Sequence, residues 1–206
     1  MRKFYILFIK VILDYTFSIV LLLALSPLIL LCSLSILLLD GGPVIFKQKR
    51  IGQYKKIFTI YKFKTMKPSR GPLVTTNNDQ RITNLGKFLR NKKFDELPQL
   101  FNILRGEMSF IGPRPDVPIK DKKRDDIEEA IFDLKPGITS LSSIQFINES
   151  EHIKKTGKEA YKIYVEEILP HKIILDLKYV ENASFTLDLK LALKTILLIF
   201  RSMFSF

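Results

Sequence analysis

The sequence predicts a mixed α/β domain, mainly helical, with a short β-hairpin and an apolar N-terminal membrane segment. Three observations carry that reading: Tyr15 to Leu39 hold no charged side chain, Ile57 to Met66 alternate with period two, and the apolar residues of Leu97–Leu104 and of Phe185–Phe204 follow helical spacing.

The uncharged run of about 25 residues, at about 1.5 Å each, is long enough to cross a ~30 Å hydrocarbon core. It is too long for a cleaved signal peptide, and no small-residue cleavage site follows it. Ser26-Pro27 stands at its middle, where proline removes a helical hydrogen bond and the Ser26 hydroxyl is available to the freed carbonyl. Arg2, Lys3 and Lys10 precede the run, and Lys47, Lys49 and Arg50 follow it, so by the positive-inside rule both ends favour the cytoplasm. Hydropathy alone makes a spanning helix the default. A helix bent at Pro27, with arms of roughly eleven or twelve residues reaching about the midplane, satisfies both flanks.

Next, Val44 to Lys49 and Ile57 to Met66 read as strands with Gly52 in the turn between them, a small hairpin. Strict alternation places Phe58, Ile60, Lys62 and Lys64 on one face. Leu97, Leu100, Phe101 and Leu104 recur at i, i+3, i+4 and i+7 before Gly106, so this segment is a short helix with Asp95 and Glu96 at its N-terminus. Ile127–Leu134 and Lys158–Ile168 also read as helices, and the segment around Pro136-Gly137 as a loop. In Phe185–Phe204, Lys190, Lys194 and Arg201 fall on one narrow face of an otherwise apolar helix, a pattern suited to a membrane headgroup boundary as well as to a core helix with solvated lysines.

Composition narrows the partners. With 206 residues, about forty of them in the apolar N-terminus, one modest soluble domain remains: residues 1–40 form the membrane segment and 41–206 the domain. Thirty-three Lys and Arg against 21 Asp and Glu give a net charge of +12, which implies an anionic partner. No nucleic-acid-binding motif, internal repeat or low-complexity tract is present, so the apolar segment turns that expectation toward membrane lipids and phosphorylated substrates. The single cysteine, Cys32, excludes a disulfide framework or cysteine zinc site within one chain. His152 and His171 are the only histidines, so a functional metal would be held by carboxylates and phosphates, as Mg²⁺ or Mn²⁺ are.

The segment from Asp79 to Pro118 concentrates the candidate chemistry: Arg81, Arg90, Arg114 and the pair Asp95-Glu96. Asp95 reads equally as an N-cap and Glu96 as a favourable first-turn acid. Pro113 and Pro115 stiffen the backbone on either side of Arg114, which lowers the entropy lost when its guanidinium grips a phosphate. Lys62 and Lys64, on one strand face, are further hydrogen-bond donors to a phosphate or simply solvated.

These residues belong to a larger pattern. Lys62-Phe63-Lys64-Thr65-Met66, Asp79-Gln80-Arg81-Ile82-Thr83, Gly86, Arg90, Asp95-Glu96-Leu97-Pro98-Gln99-Leu100, Asn102, Leu104, Gly106, Met108-Ser109, Gly112-Pro113-Arg114-Pro115 and Pro136-Gly137-Ile138-Thr139 together resemble the bacterial sugar transferase family. These are the monotopic phosphoglycosyl transferases that begin lipid-linked glycan assembly. The resemblance runs from the apolar N-terminus, where Asp14 occupies a position at which the family often has aspartate, to Asp176, Tyr179-Val180 and Asn182.

The resemblance implies a re-entrant N-terminal membrane helix, interfacial amphipathic helices and a catalytic domain on the cytoplasmic face of the inner membrane. It implies that Asp95 is the nucleophile, attacking a UDP-sugar to release UMP, with undecaprenyl phosphate taking the sugar phosphate from the enzyme. Lys62, Lys64, Arg81, Arg90 and Arg114 would bind the phosphates. Asp95 and Glu96 would hold Mg²⁺, or Mn²⁺, and Glu96 would also tune Asp95. After Thr139 the chain departs from the family, since Ser140 and Leu141 stand where many members have glycine and tryptophan. No residue pattern identifies the sugar. The rival from another class is a catalytically silent, membrane-bound anion-binding scaffold, which would not need Asp95 and Glu96 beside Arg90 and Arg114.

Overall fold

The computed structural model describes residues 2–68, 79–117, 129–147 and 160–204. The chain opens with two apolar helices, α1 (Arg2–Ala24) and α2 (Ser26–Asp40), separated at Leu25, which leaves helical geometry with φ −94° and ψ 3°. Pro27 cannot hydrogen bond back to Leu23 and clashes with its carbonyl, so the helix breaks there. The Ser26 hydroxyl donates to the freed Leu23 oxygen at 2.8 Å, as the sequence predicts. The arms are longer than the expected eleven or twelve residues, because the first extends back through a π-helical turn, Tyr5–Ile9, to Arg2. By length and composition α1 is able to cross a membrane.

Strands β1 (Ile45–Ile51) and β2 (Ile57–Phe63) form an antiparallel hairpin with Ile45 opposite Phe63 and Ile51 opposite Ile57. Phe58 and Ile60 pack with Leu100, Ile103 and Met108 against Leu21 and Leu22 of α1. Phe63 packs with Cys32 and Ile36 of α2 and Leu89 of α3 (Asn84–Asn91). Both arms of the broken helix therefore rest on the same unit.

The helix expected from Leu97 to Leu104 is divided. Phe94–Gln99 forms a 3₁₀ turn and α4 spans only Leu100–Leu104. Pro98 has no amide hydrogen to return to residue 94, so the first turn takes the tighter form. Asn102 fixes this segment to the hairpin. Wholly buried, its amide accepts from Tyr61 N at 3.1 Å and donates to Thr59 O at 2.7 Å, completing the outer edge of β2 as a neighbouring strand would.

Helix α3 is capped by Thr83, whose hydroxyl accepts from Gly86 N at 2.8 Å. A Cβ on Gly86 would lie 2.1 Å from Thr65 O, so only glycine permits this approach of α3 to the end of the hairpin. Two further strands, β3 (Ser109–Ile111) and β4 (Gly137–Thr139), pair in parallel. The second corrects the expected loop around Pro136-Gly137. Gly112 and Gly137 stack so closely that a Cβ on Gly137 would lie 2.2 Å from Gly112 N. Of the helix expected over Ile127–Leu134, Glu129 is α-helical and Ala130–Asp133 forms a 3₁₀ turn, with 127 and 128 outside the described residues.

After α5 (Leu141–Gln145), the helical stretch expected over Lys158–Ile168 is α6 (Ala160–Ile163) followed by a π turn, Tyr164–Ile168; residues 158 and 159 lie outside the described residues. It continues into α7 (Leu169–Asn182), and α8 (Phe185–Phe204) ends the fold. Tyr179, wholly buried, centres a core with Ile111, Leu134, Val180 and Leu191. Polar contacts bind α1 to this half of the molecule. Lys10 forms an ion pair with Asp188 of α8, Tyr5 and Tyr179 donate to the same carboxylate at 2.6 and 2.7 Å, and Asp14 accepts from Ser109 Oγ and Phe110 N of β3 at 3.1 Å each. Lys190, Lys194 and Arg201 are exposed on α8, as are the apolar Leu193, Ile196, Leu197 and Phe200.

Candidate active site

Asp95 and Glu96 lie in the 3₁₀ turn ahead of α4, held against β2 by Asn102. Asp95 is not an N-cap. Lys93 occupies that position in the left-handed region, φ 59°, and no side chain caps the turn. Although only 8% exposed, the Asp95 carboxylate makes no hydrogen bond or ion pair among the described residues. Burial and the adjacent Glu96 raise its pKa, against the pull of Lys62, Lys93 and Arg90. Glu96 differs. Burial pushes its carboxyl up, but Lys62, Lys93 and Arg114 together overcome that and hold it down at about 2. Lys62 Nζ donates to its Oε1 at 2.8 Å.

Two adjacent carboxylates are thus driven apart: Glu96 is a fixed, paired anion, and Asp95 a more basic carboxylate with free lone pairs. Four cations, Lys62, Arg90, Lys93 and Arg114, act on the pair, so the local field favours further negative charge.

Arg114 stands exposed between two buried prolines. Its loop is pinned from three sides: Gly137 N donates to Pro113 O at 2.9 Å, Arg114 N to Asp176 Oδ2 at 3.1 Å and Arg50 Nη1 to Pro115 O at 3.1 Å. Arg90 Nε donates to Thr65 Oγ1 at 2.8 Å and its charge reaches Asp95. Arg81 lines the same cleft but holds Asp79 with two nitrogens, at 2.9 and 2.6 Å. Lys64 lines the cleft together with Lys62, and its ammonium donates to Asp40 O and Gly42 O at the C-terminal end of α2.

Sequence reasoning missed Lys93, Arg50, Asp176 and Ser143. Burial first, then the nearby Arg114, lowers the Arg50 pKa to about 10. Asp176 was detectable as the one acid on the buried stripe Leu169, Ile173, Tyr179, Val180 of α7. Ser143 accepts from Arg114 Nη1 at 3.1 Å, and nothing in its local sequence signals that contact.

Asp95, Glu96 and the surrounding cations, with Ser143, border a cleft of about 2010 Å³ whose other wall is apolar, with Phe17 and Leu21 from α1 and Leu189 and Leu193 from α8. A cationic recess around two carboxylates, opening between greasy helices, can take a molecule with a phosphate at one end and hydrocarbon at the other. Among the described residues no three His, Cys, Asp or Glu side chains converge. A divalent cation at Asp95 and Glu96 would therefore complete its shell with ligand oxygens and water, as Mg²⁺ commonly does.

The sequence pattern of the family described as bacterial sugar transferase matches residues 5–202. The chain belongs to this family. Among curated bacterial sugar transferases, an undecaprenyl-phosphate glucose phosphotransferase of Komagataeibacter xylinus is 36% identical over 193 residues, covering 89% of this chain and 34% of the relative. The uncharacterized sugar transferase EpsL of Bacillus subtilis strain 168 is 36% identical over 190 residues, 89% of this chain and 83% of that protein. A putative undecaprenyl-phosphate N-acetylgalactosaminyl 1-phosphate transferase of the same organism is 41% identical over 118 residues, 56% of this chain and 66% of its own length. The chain spans about a third of the length of the Komagataeibacter relative.

Proposed function

We propose that this bacterial sugar transferase moves a sugar-1-phosphate from a UDP-sugar to undecaprenyl phosphate, in the first membrane step of glycoconjugate synthesis. The observation that carries the reading is the unpartnered, basic carboxylate of Asp95 beside the Lys62–Glu96 pair in a cationic cleft. Asp95 attacks the sugar-bearing phosphorus, the bond from that phosphorus to the bridging oxygen breaks, and UMP leaves with the electron pair. An acyl-phosphate carrying the sugar remains on Asp95. An oxygen of the lipid phosphate then attacks the same phosphorus, giving polyprenyl-diphospho-sugar and restoring the carboxylate.

The donor set fits a Mg²⁺ or Mn²⁺ held by Asp95 and Glu96, which would supply the positive charge that lets a carboxylate approach a diphosphate. Lys62, by pairing with Glu96, keeps that side chain ionised. Arg90 and Arg114 offset the charge developing on the phosphoryl oxygens.

The apolar helices belong to the same reading. With both arms packed on the catalytic unit and bent at Leu25, the N-terminus enters and leaves one leaflet as a re-entrant helix. The exposed apolar face of α8, with its basic residues, lies at the headgroup boundary. The site then sits at the cytoplasmic face of the inner membrane, where a soluble nucleotide sugar and a lipid phosphate meet. The name of the Komagataeibacter relative makes glucose the first sugar to test in the UDP-linked donor. The experiment is a panel of UDP-sugars given to the membrane-reconstituted protein with and without undecaprenyl phosphate. UMP release, ping-pong initial rates and labelling of the enzyme by donor alone are expected. A ternary-complex rate pattern with no labelled enzyme under good turnover would refute the covalent route.

A further inference from the structure

Three serines form a hydrogen-bonded cluster that meets the guanidinium of Arg114 through Ser143, in the stretch where the chain leaves the family pattern. Ser140 caps α5, its hydroxyl accepting from Ser143 N at 2.9 Å. The same hydroxyl lies 2.9 Å from Ser142 Oγ and donates to Ser143 Oγ at 2.8 Å. Ser143 Oγ also accepts from Arg114 Nη1 at 3.1 Å. Ser140 and Ser142 are buried, and Ser142 borders Asp176, the carboxylate that holds the Arg114 backbone. The polar chain thus begins at the Arg114 amide and returns to its guanidinium.

Proton accounting singles out Ser143. Its oxygen receives two hydrogen bonds, one from a cation, so both lone pairs are committed and its own O–H is polarised toward donation. That hydrogen has no acceptor among the described residues, although Ser143 is half-buried. The side chain lines the cleft that contains Asp95 and Glu96. Arg114 keeps four of its guanidinium N–H groups after this one contact and forms no ion pair among the described residues.

We propose that Ser143 is a substrate-binding residue: its hydroxyl and the Arg114 guanidinium form a two-donor site for one phosphoryl group. This rests on the phosphoglycosyl transfer reading, under which that phosphoryl group comes either from the nucleotide diphosphate or from the polyprenyl phosphate. Both present the same anionic oxygen acceptors.

The test compares Ser143→Ala and Ser143→Thr with the full-length parent in lipid. Neither substitution removes the cap of α5, which uses the Ser143 backbone amide. Loss of a hydrogen bond to a charged group predicts about a tenfold fall in kcat/KM for Ser143→Ala, with Ser143→Thr within about threefold of the parent. If the site serves the nucleotide, the loss appears in UMP release from UDP-sugar without lipid. If it serves the lipid, that half-reaction is unchanged and the KM for polyprenyl phosphate rises about tenfold. UDP and a short-chain polyprenyl phosphate, titrated separately, read the same comparison without turnover, so failure of the catalytic reading leaves this test standing. Ala within twofold of the parent for both ligands, or Thr as impaired as Ala, overturns the proposal.

Discussion

Replacing Asn102 with Leu should both destabilise the protein and misplace its carboxylates. Leucine keeps the number and branching of the side-chain heavy atoms of asparagine while removing its polar groups, although its bulkier methyls add some crowding at this wholly buried position. Three hydrogen bonds are lost: from Tyr61 N at 3.1 Å, and to Thr59 O and Glu107 Oε2 at 2.7 Å each. The first two leave a backbone donor and a backbone acceptor unpartnered under an apolar side chain, at about 1–3 kcal/mol each. Both groups are only half-buried and water relieves part of that cost, so roughly 2–4 kcal/mol is expected. For a chain of this size that corresponds to a fall in Tm of roughly 5–15 °C. Because the amide also sets the 3₁₀ turn against β2, Asp95 and Glu96 should drift from Lys62, and a displacement of about 1 Å can cost on the order of 100-fold in rate. Thermal unfolding in detergent and UMP release measured on one preparation test both limbs. Asn102→Asp, which can accept from Tyr61 but cannot donate to Thr59, should rescue neither. A Leu variant melting within about 2 °C of the parent and releasing UMP at an undiminished rate would refute the account of how the site is held.

Asp95→Asn should abolish turnover and enzyme labelling while leaving the fold intact, since Asp95 is not a cap and its carboxylate carries no hydrogen bond; UMP release and circular dichroism together check it. Lys62→Met removes the first of the cations that outweigh burial at Glu96. Glu96 contributes stability above the ordinary carboxylate range that is lost as pH falls through about 2 in the parent, and the variant should lose it at a higher pH, seen as an acid-unfolding curve and an acid limb of activity both displaced upward. Chelation of divalent cations should stop labelling by UDP-sugar alone as well as turnover, with Mg²⁺ restoring both. Pro27→Leu restores the missing amide hydrogen at the break, so some molecules should become spanning, read by labelling of an N-terminal cysteine from outside intact cells.

Much of this architecture could be read from local sequence because its causes are local. Pro27 breaks a helix through its own missing hydrogen, and Ser26 answers within the same turn. Pro113 and Pro115 frame Arg114 by fixing their own backbones. Expectations failed where a cause lay elsewhere in the chain. The hydrogen bonds of Lys64 to Asp40 O and Gly42 O reach a segment more than twenty residues earlier, and the approach of Gly86 to Thr65 at the end of the hairpin cannot be seen from either segment. Pro98 was visible, yet the helical spacing of Leu97, Leu100, Phe101 and Leu104 outweighed it in the reading. Strand β4 has three residues, too few for a period, and exists because Gly112 and Gly137 stack. Arg50 and Asp176 meet the Arg114 loop from 65 and 62 residues away, distances no local pattern spans.

The ion pair between Lys10 and Asp188 closes a loop of 178 residues. During synthesis at about 5–20 residues per second, the lysine waits roughly 10 to 35 s for its counter-ion. Through that interval the Lys10 charge has only Asp14, one turn further along α1, to offset it, and the Tyr5 hydroxyl lacks the Asp188 carboxylate to which it donates. The first helix made is thus among the last to be finished. Under the re-entrant reading, a lysine without its Asp188 partner resists burial in the bilayer and would hold the start of α1 at the cytoplasmic surface until α8 arrives and the ion pair ties the two helices together.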